Sequence, residues 1–363
     1  MKVINLYSIV RFLPFIVARL IMKIFISIAA YRDVLLKNTL IEAYNKADNK
    51  DSLVFGVFEQ NYSEEALDLS ALPFANQIRY KLIMPEEARG VSYARQQIQL
   101  LLYKDEDYFM QIDSHTLFNQ GWDSYLLKNF LELKKYHEKP VLTAYPNSFD
   151  VLDVDKLEFN VCHVPDHLIS VVIVGPKTDQ PLFRGYQPVP YGGFVDSNNA
   201  AVNYRYEPKK VCDPPLTLVH GYFIGACFIF ADGSIVKDVP YDPYIFFGGE
   251  EPLYSVRCWT RGYNIFHVIK LPMYHAAHRS YGIHVLNDHN TASKRETSLE
   301  KYEELSQERM RKFAKYELEE VYNPGSVRSL DQYIAFSGID YHNQTIIDNN
   351  DHVFDLDYKV QPI

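Results

Sequence analysis

An aspartate and a histidine two positions apart, at the end of an apolar run, are the first residues here with an evident chemical use. The stretch DYFMQIDSHTLFNQGWD (Asp107–Asp123) reads as a strand that stops at Asp113, with His115 just beyond it. On an extended backbone, residues i and i+2 face the same side. Asp113 and His115 can therefore aim a carboxylate oxygen and an imidazole nitrogen at one point, a donor set suited to Mn2+ better than to Ca2+. Two ligands rarely hold a catalytic metal, and His275 and His278 of MYHAAHR are candidates for a third. The plainer alternative makes Asp113 a cap for the next turn and His115 a surface residue.

Two further clusters carry charge where chemistry needs it. Arg89 and Arg95 flank GVSYA, and a glycine before a helix start with arginines nearby can bind phosphate through backbone N–H groups and guanidinium forks. Arg32 and Asp33, after the first apolar run, admit a similar role toward a phosphate, ribose or uracil; ordinary surface charge is the competing reading for all four. In FFGGEEP, the two glycines allow a tight turn that sets Glu250 and Glu251 at a helix start. Carboxylates there complement the helix dipole, and they can equally grip sugar hydroxyls or an acceptor.

The elements that must position these residues alternate. KIFISIAAYRD, SLVFGVFEQ, DYFMQID and PVLTAYP read as buried strands, and VLLKNTLIEAYNKA, ARGVSYARQQIQLLLYK and WDSYLLKNFLELKKYHE as helices between them. This alternation predicts βαβ units and a mainly parallel sheet, whose ligands sit beyond the carboxyl ends of the strands. From about Val151 to Pro215 the pattern loosens into loops and short strands. LVHGYFIGACFIFADG returns to strand character, a helix follows FFGGEE, and a last strand carries MYH. TSLEKYEELSQERMRKFAKYELEE reads as a helix solvated on one face.

Composition narrows the class. The 363 residues are 47% hydrophobic, enough for a sizeable core. A formal net charge of −9 with no long Lys/Arg block argues against a nucleic-acid partner. The four cysteines form no CxxC pair, so neither a zinc ribbon nor a disulfide scaffold is indicated, and a reducing, cytoplasmic setting is expected. Residues 1–21 mix Arg11 and Arg19 with apolar residues. They make a poor membrane span but suit a peripheral membrane-surface segment, at the inner face of the membrane, or a mere extension.

Taken in order, FISIAAYRD, ARGVSYAR, YFMQIDSHTLFNQGWD, VPYDPYIFFGGEEPLYSVRCWTRGY, MYHAAHR and VRSLDQYIAFSGID resemble glycosyltransferase family 60, from about Met22 to Asp340. The resemblance implies an α/β, GT-A-type fold with a single Rossmann-like, mainly parallel sheet. It divides the chain into 1–21, a catalytic domain at 22–290 and a C-terminal helical extension at 291–363. It implies a UDP-sugar-dependent hexosyltransferase that moves N-acetylglucosamine from UDP-GlcNAc with retention of configuration. Mn2+ (or Mg2+) would be held by Asp113, His115 and His275, the last chosen over His278. Arg32, Asp33, Arg89, Arg95 and Asp113 are then the candidates for binding the nucleotide sugar, and Glu250 and Glu251 the catalytic candidates. FFGGEE has one glycine more than the family's FFGEE, so both glutamates stay in view. The acceptor implied is a polypeptide hydroxyl; a polysaccharide or glycolipid built at the cytoplasmic membrane face is the alternative. A non-catalytic sugar-nucleotide-binding module would need the metal triad or the glutamates broken, and all are present.

Overall fold

The structure is a computed structural model. It describes residues 22–161, 218–268, 270–276, 281–288, 291, 294–340, 342–343 and 345–346, together with the backbone of two strands, 170–174 and 186–190. The expected membrane-surface segment at 1–21, His278 and most of the loosely patterned region lie outside the described residues.

The chain lays down β1 (Ile24–Tyr31), α1 (Leu36–Asn45), β2 (Leu53–Gln60), β3 (Ile78–Ile83), α2 (Val91–Leu101), β4 (Tyr108–Asp113), β5 (Thr116–Phe118), α3 (Trp122–Lys134) and β6 (Pro140–Thr143). It continues through β7 (Asn147–Asp153), β8 (Glu158–Val161), β9 (Ser170–Val174), β10 (Tyr186–Pro190), β11 (Leu218–Gly221) and β12 (Phe228–Asp232). A short α4 (Ile235–Asp238), α5 (Glu250–Thr260), β13 (Asn264–Val268), β14 (Met273–Ala276), α6 (Leu299–Ala314) and α7 (Leu330–Ser337) follow, with a final pair β15 (Ile339–Asp340) and β16 (Thr345–Ile346).

Eight strands form the main sheet in the order β11-β13-β6-β12-β4-β1-β2-β3. The pairings β1–β2, β2–β3, β1–β4 and β6–β13 are parallel, while β12 and β11 run against their neighbours. The sheet is therefore mainly parallel, as the βαβ rhythm predicts. LVHGYFIGACFIFADG is not one strand but two, β11 and β12, separated by a buried turn at Tyr222–Cys227.

Both faces of the sheet are covered, which is why its strands read as apolar runs rather than alternating ones. Ile24, Ile26 and Ile28 of β1 and Met110 and Ile112 of β4 pack under α1 and α3, with Leu36, Leu40, Trp122 and Phe130. Phe25 and Phe109, one residue out of phase, pack under α2 and α5 with Ala94, Ile98, Tyr254 and Cys258. The same alternation carries Gln111 and Asp113 to the α2/α5 side. All of α5 is buried, because its other face, Leu253, Val256 and Trp259, meets Met310 and Phe313 of α6 and Leu330 and Tyr333 of α7. The C-terminal helices thus share a core with the helix that opens on Glu250. A second sheet, β5-β14-β7-β8, stands at the carboxyl end of β4.

Candidate active site

A cleft of 710 Å³ opens at the carboxyl ends of β1, β2 and β4, where an open parallel sheet is expected to bind its ligand. Asp113 ends β4 and lines it. Three residues on, Thr116 of β5 pairs with His275 of β14, so the β5–β14 register sets His275 beside His115. The Ala276 amide also donates to the His115 carbonyl at 3.2 Å. The His115 and His275 Nε2 atoms are 3.0 Å apart, and His275 Nε2 is 3.0 Å from Asp113 Oδ2. Ligand atoms of the three residues all lie within 4.8 Å of one another, the single such group among the described residues. One oxygen and two nitrogens converging in this way fit a borderline divalent cation.

The surroundings prepare that donor set. His115 is buried, and its Nδ1 lies 2.7 Å from Asp33 Oδ2. An ionised Asp33 requires a proton on Nδ1, which leaves the Nε2 lone pair facing His275. Burial lowers the His115 pKa; the Asp33 carboxylate opposes this only in part, so the ring stays neutral, as a metal ligand must. For Asp113, burial favours the protonated acid, but the His275 hydrogen bond and the buried Arg95 charge outweigh it, holding the carboxyl well below its ordinary range.

Arg95 is 4% exposed, one turn into α2. Its Nη2 donates to Asp113 Oδ1 and to the Ala226 carbonyl, both at 3.2 Å. Its Nη1 sits 3.9 Å from Glu250 Oε1 and has no hydrogen-bond acceptor. Arg95 lines the cleft, and a buried guanidinium there with one unpartnered nitrogen is suited to a phosphate. The start of α2 is brought there by Gly90, at φ +92, where a side chain would collide with the Phe246 carbonyl oxygen. The Val91 amide donates to that same oxygen at 3.2 Å, joining α2 to the segment before α5.

The two glutamates, indistinguishable in sequence, part company. Both oxygens of Glu251 lie 2.7 Å from the Tyr145 hydroxyl, and Oε1 also accepts from the Ala226 amide at 2.7 Å. Glu251 therefore holds the turn before β12 in place. Glu250 has one oxygen, Oε2, with no hydrogen-bond partner. Burial raises its pKa and nearby Arg95 opposes the rise. Of the pair, Glu250 is the one that keeps an unpartnered oxygen, buried beside Arg95 at the cleft wall.

Three of the expected donor-binding residues, Arg32, Asp33 and Arg89, do not line this cleft. Asp33 is 5% exposed, lies behind His115 rather than on the cleft, and also accepts from Ser114 Oγ at 2.7 Å and the Leu35 amide at 3.0 Å. Arg32 is paired with Asp288 and Glu65, both at 3.1 Å. Arg89 lies over the Tyr93 ring and lines a separate cavity of 410 Å³ with Tyr244 and Lys301. For Arg32 and Asp33, a three-dimensional neighbour takes the charge first. Conversely, Tyr145 and Phe247 line the cleft without having been singled out, beside Gln60 at the polar end of β2. Gln60 and Tyr145 follow the same carboxyl-end rule that marked Asp113, and that rule was the available signal.

The fold thus joins a doubly covered, mainly parallel α/β sheet to an Asp/His triad and an arginine at its carboxyl edge, in a chain whose family is one of sugar transferases. The chain belongs to the Glycosyltransferase (GlcNAc) family, whose model matches residues 23–76 and 67–343. No curated protein matches the sequence. Among solved structures, S. aureus TarS 1-349 in complex with UDP-GlcNAc is similar at 11% identity and a TM-score of 0.42, over 81% of this chain and 73% of that one. The mannosyltransferase PcManGT from Pyrobaculum calidifontis, in complex with GDP-Man and Mn2+, has 10% identity and a TM-score of 0.39 over 79% and 68%. No described helix is long and apolar enough to cross a membrane.

Proposed function

We propose that this chain transfers N-acetylglucosamine from UDP-GlcNAc to a hydroxyl, with retention of anomeric configuration and dependence on Mn2+ (or Mg2+). The carrying observation is the convergence of Asp113, His115 and His275 beside an unpartnered Arg95 nitrogen in one cleft. Family membership supplies the reaction class. The cation, held by these three side chains, would neutralise charge on the donor diphosphate.

Arg95 Nη1 supplies a second, fixed positive charge from a site that needs no reorganisation as the UDP departs. Asp113 has two jobs, because Oδ1 holds Arg95 while Oδ2 faces His275. In a retaining transfer the acceptor hydroxyl enters on the leaving-group face, where a phosphate oxygen can take its proton. No side chain is then required as the base, and Glu250 Oε2 is free to orient a sugar or acceptor hydroxyl. Glu251 and Tyr145 keep the Ala226 carbonyl, and so Arg95, in register. The acceptor we assign is a polypeptide hydroxyl, in line with the resemblance stated above.

The test is a screen of UDP-sugars with Mn2+, reading UDP release with and without cell extract separated into protein and lipid-linked glycan fractions. UDP-GlcNAc turnover that rises with the protein fraction and vanishes on Asp113→Ala supports the proposal. Turnover insensitive to chelator and to Asp113→Ala would overturn it, and stimulation by the lipid-linked fraction alone would replace the acceptor.

A further inference from the structure

One wall of the cleft comes from Gly282, Ile283, His284, Val285 and Asn287. Ile283 and Leu286 are 36% and 40% exposed, so this segment is no ordinary core element. Val285 packs with Tyr31, Ala88 and Phe246, and the His284 ring meets Phe247 edge-on at 5.4 Å. The segment ends on Asp288, a 4% exposed carboxylate. Its Oδ2 accepts from the Tyr31 hydroxyl at 2.9 Å and Arg32 Nη1 at 3.1 Å, and its Oδ1 from the Thr291 amide at 3.3 Å. Arg295 Nη2 donates to the Tyr31 hydroxyl at 2.9 Å, closing the network. Burial pushes the Tyr31 phenol up to about 12, so it remains a donor.

The partner end of this network is unusual. Arg32 has φ +43, a backbone conformation unfavourable for a branched-off side chain and kept only where surrounding contacts over-determine it. The next residue is Asp33, which fixes His115. The single turn Tyr31-Arg32-Asp33 therefore touches the cleft wall on one side and the proposed metal ligand on the other.

We propose that Asp288 is a positioning residue that bolts the 281–288 wall to the end of β1, so that the wall holds the donor and shields it from water. The role rests on the donor-binding reading above. Arg32, expected from sequence to touch the nucleotide, acts through this bolt instead.

The test compares full-length wild type with Asp288→Asn and Tyr31→Phe by hydrogen exchange and by steady-state turnover of UDP-GlcNAc. Asp288→Asn, which weakens the pair with Arg32, should speed exchange across 281–288 by about tenfold while β4 exchanges as before. It should raise the donor KM about tenfold and leave kcat within about threefold, with Tyr31→Phe intermediate. Unchanged exchange in 281–288, or an equal rise in β4, would overturn the bolt, as would a fall in kcat with KM unchanged. Should wild type turn over no UDP-GlcNAc, the donor reading fails, and the exchange comparison still decides the bolt.

Discussion

Replacing Asp33 by Asn tests the metal site without touching a ligand. Asp33 Oδ2 lies 2.7 Å from His115 Nδ1 and also accepts from Ser114 Oγ at 2.7 Å. An asparagine has nearly the same shape: with its oxygen kept toward the Leu35 amide, its NH2 takes the place of Oδ2, where the Ser114 hydroxyl can turn to accept from it. What changes is the demand on His115. A neutral amide no longer requires a proton on Nδ1, and its NH2 can donate to that nitrogen instead. The proton then moves to Nε2, where it blocks the lone pair facing His275 and Asp113. Loss of such an outer partner typically weakens a metal site by 10–100-fold, or about 1.4–2.7 kcal/mol. Mn2+ titration of wild type, Asp33→Asn and Ser114→Ala in saturating UDP, read by the electron-spin signal of free Mn2+, measures this directly. Ser114→Ala removes a bond to the same oxygen but leaves the tautomer alone, so its affinity should stay within about threefold. Equal affinities for wild type and Asp33→Asn, both folded, would refute the tautomer argument.

Four other outcomes follow from the geometry. Glu251→Gln removes the charged acceptor of a buried amide and a tyrosine and should cost about 2–4 kcal/mol in denaturant unfolding. Glu250→Gln should leave stability within about 1 kcal/mol, yet lower transfer by about 100-fold. Gly90→Ala forces an L side chain to φ +92 and against the Phe246 carbonyl, so the unfolding midpoint should fall, by about 2 kcal/mol or more. His267 is fully buried and hydrogen-bonded to the Phe223 carbonyl at 2.8 Å, and burial lowers its pKa from 6.5 to about 4. The unfolded chain takes up this proton first, so stability is complete above pH 6.5. It falls by about 3 kcal/mol as pH drops to about 4, and His267→Gln should flatten that slope in pH-dependent melts.

The apolar runs and their spacing determined the alternating elements and the mainly parallel sheet, because burying both faces demands that pattern whatever surrounds it. The same logic placed Asp113 at a strand end, beyond which ligands collect. The strand character of LVHGYFIGACFIFADG left its division into two strands at Tyr222–Cys227 unmarked, since a buried turn is as apolar as the strands it joins.

What a charged side chain does was legible only where its neighbours are set by local chain direction. Asp113 and His115 are two residues apart, so their convergence is local; their meeting with His275 depends on β5 pairing with β14 across about 160 residues. Arg32, Asp33 and Arg95 look alike in sequence as cations and carboxylates near strand and helix ends. Asp288 claims the first and His115 the second, while Arg95 alone keeps an unpartnered nitrogen at the cleft. Glu250 and Glu251 are adjacent, and only the packing of β6 and β12 against α5 decides between them, by giving Tyr145 and the Ala226 amide to Glu251. Hydrophobic periodicity is written along the chain, but the partner of a buried charge is chosen in three dimensions, and that choice separates a positioning residue from one that meets substrate.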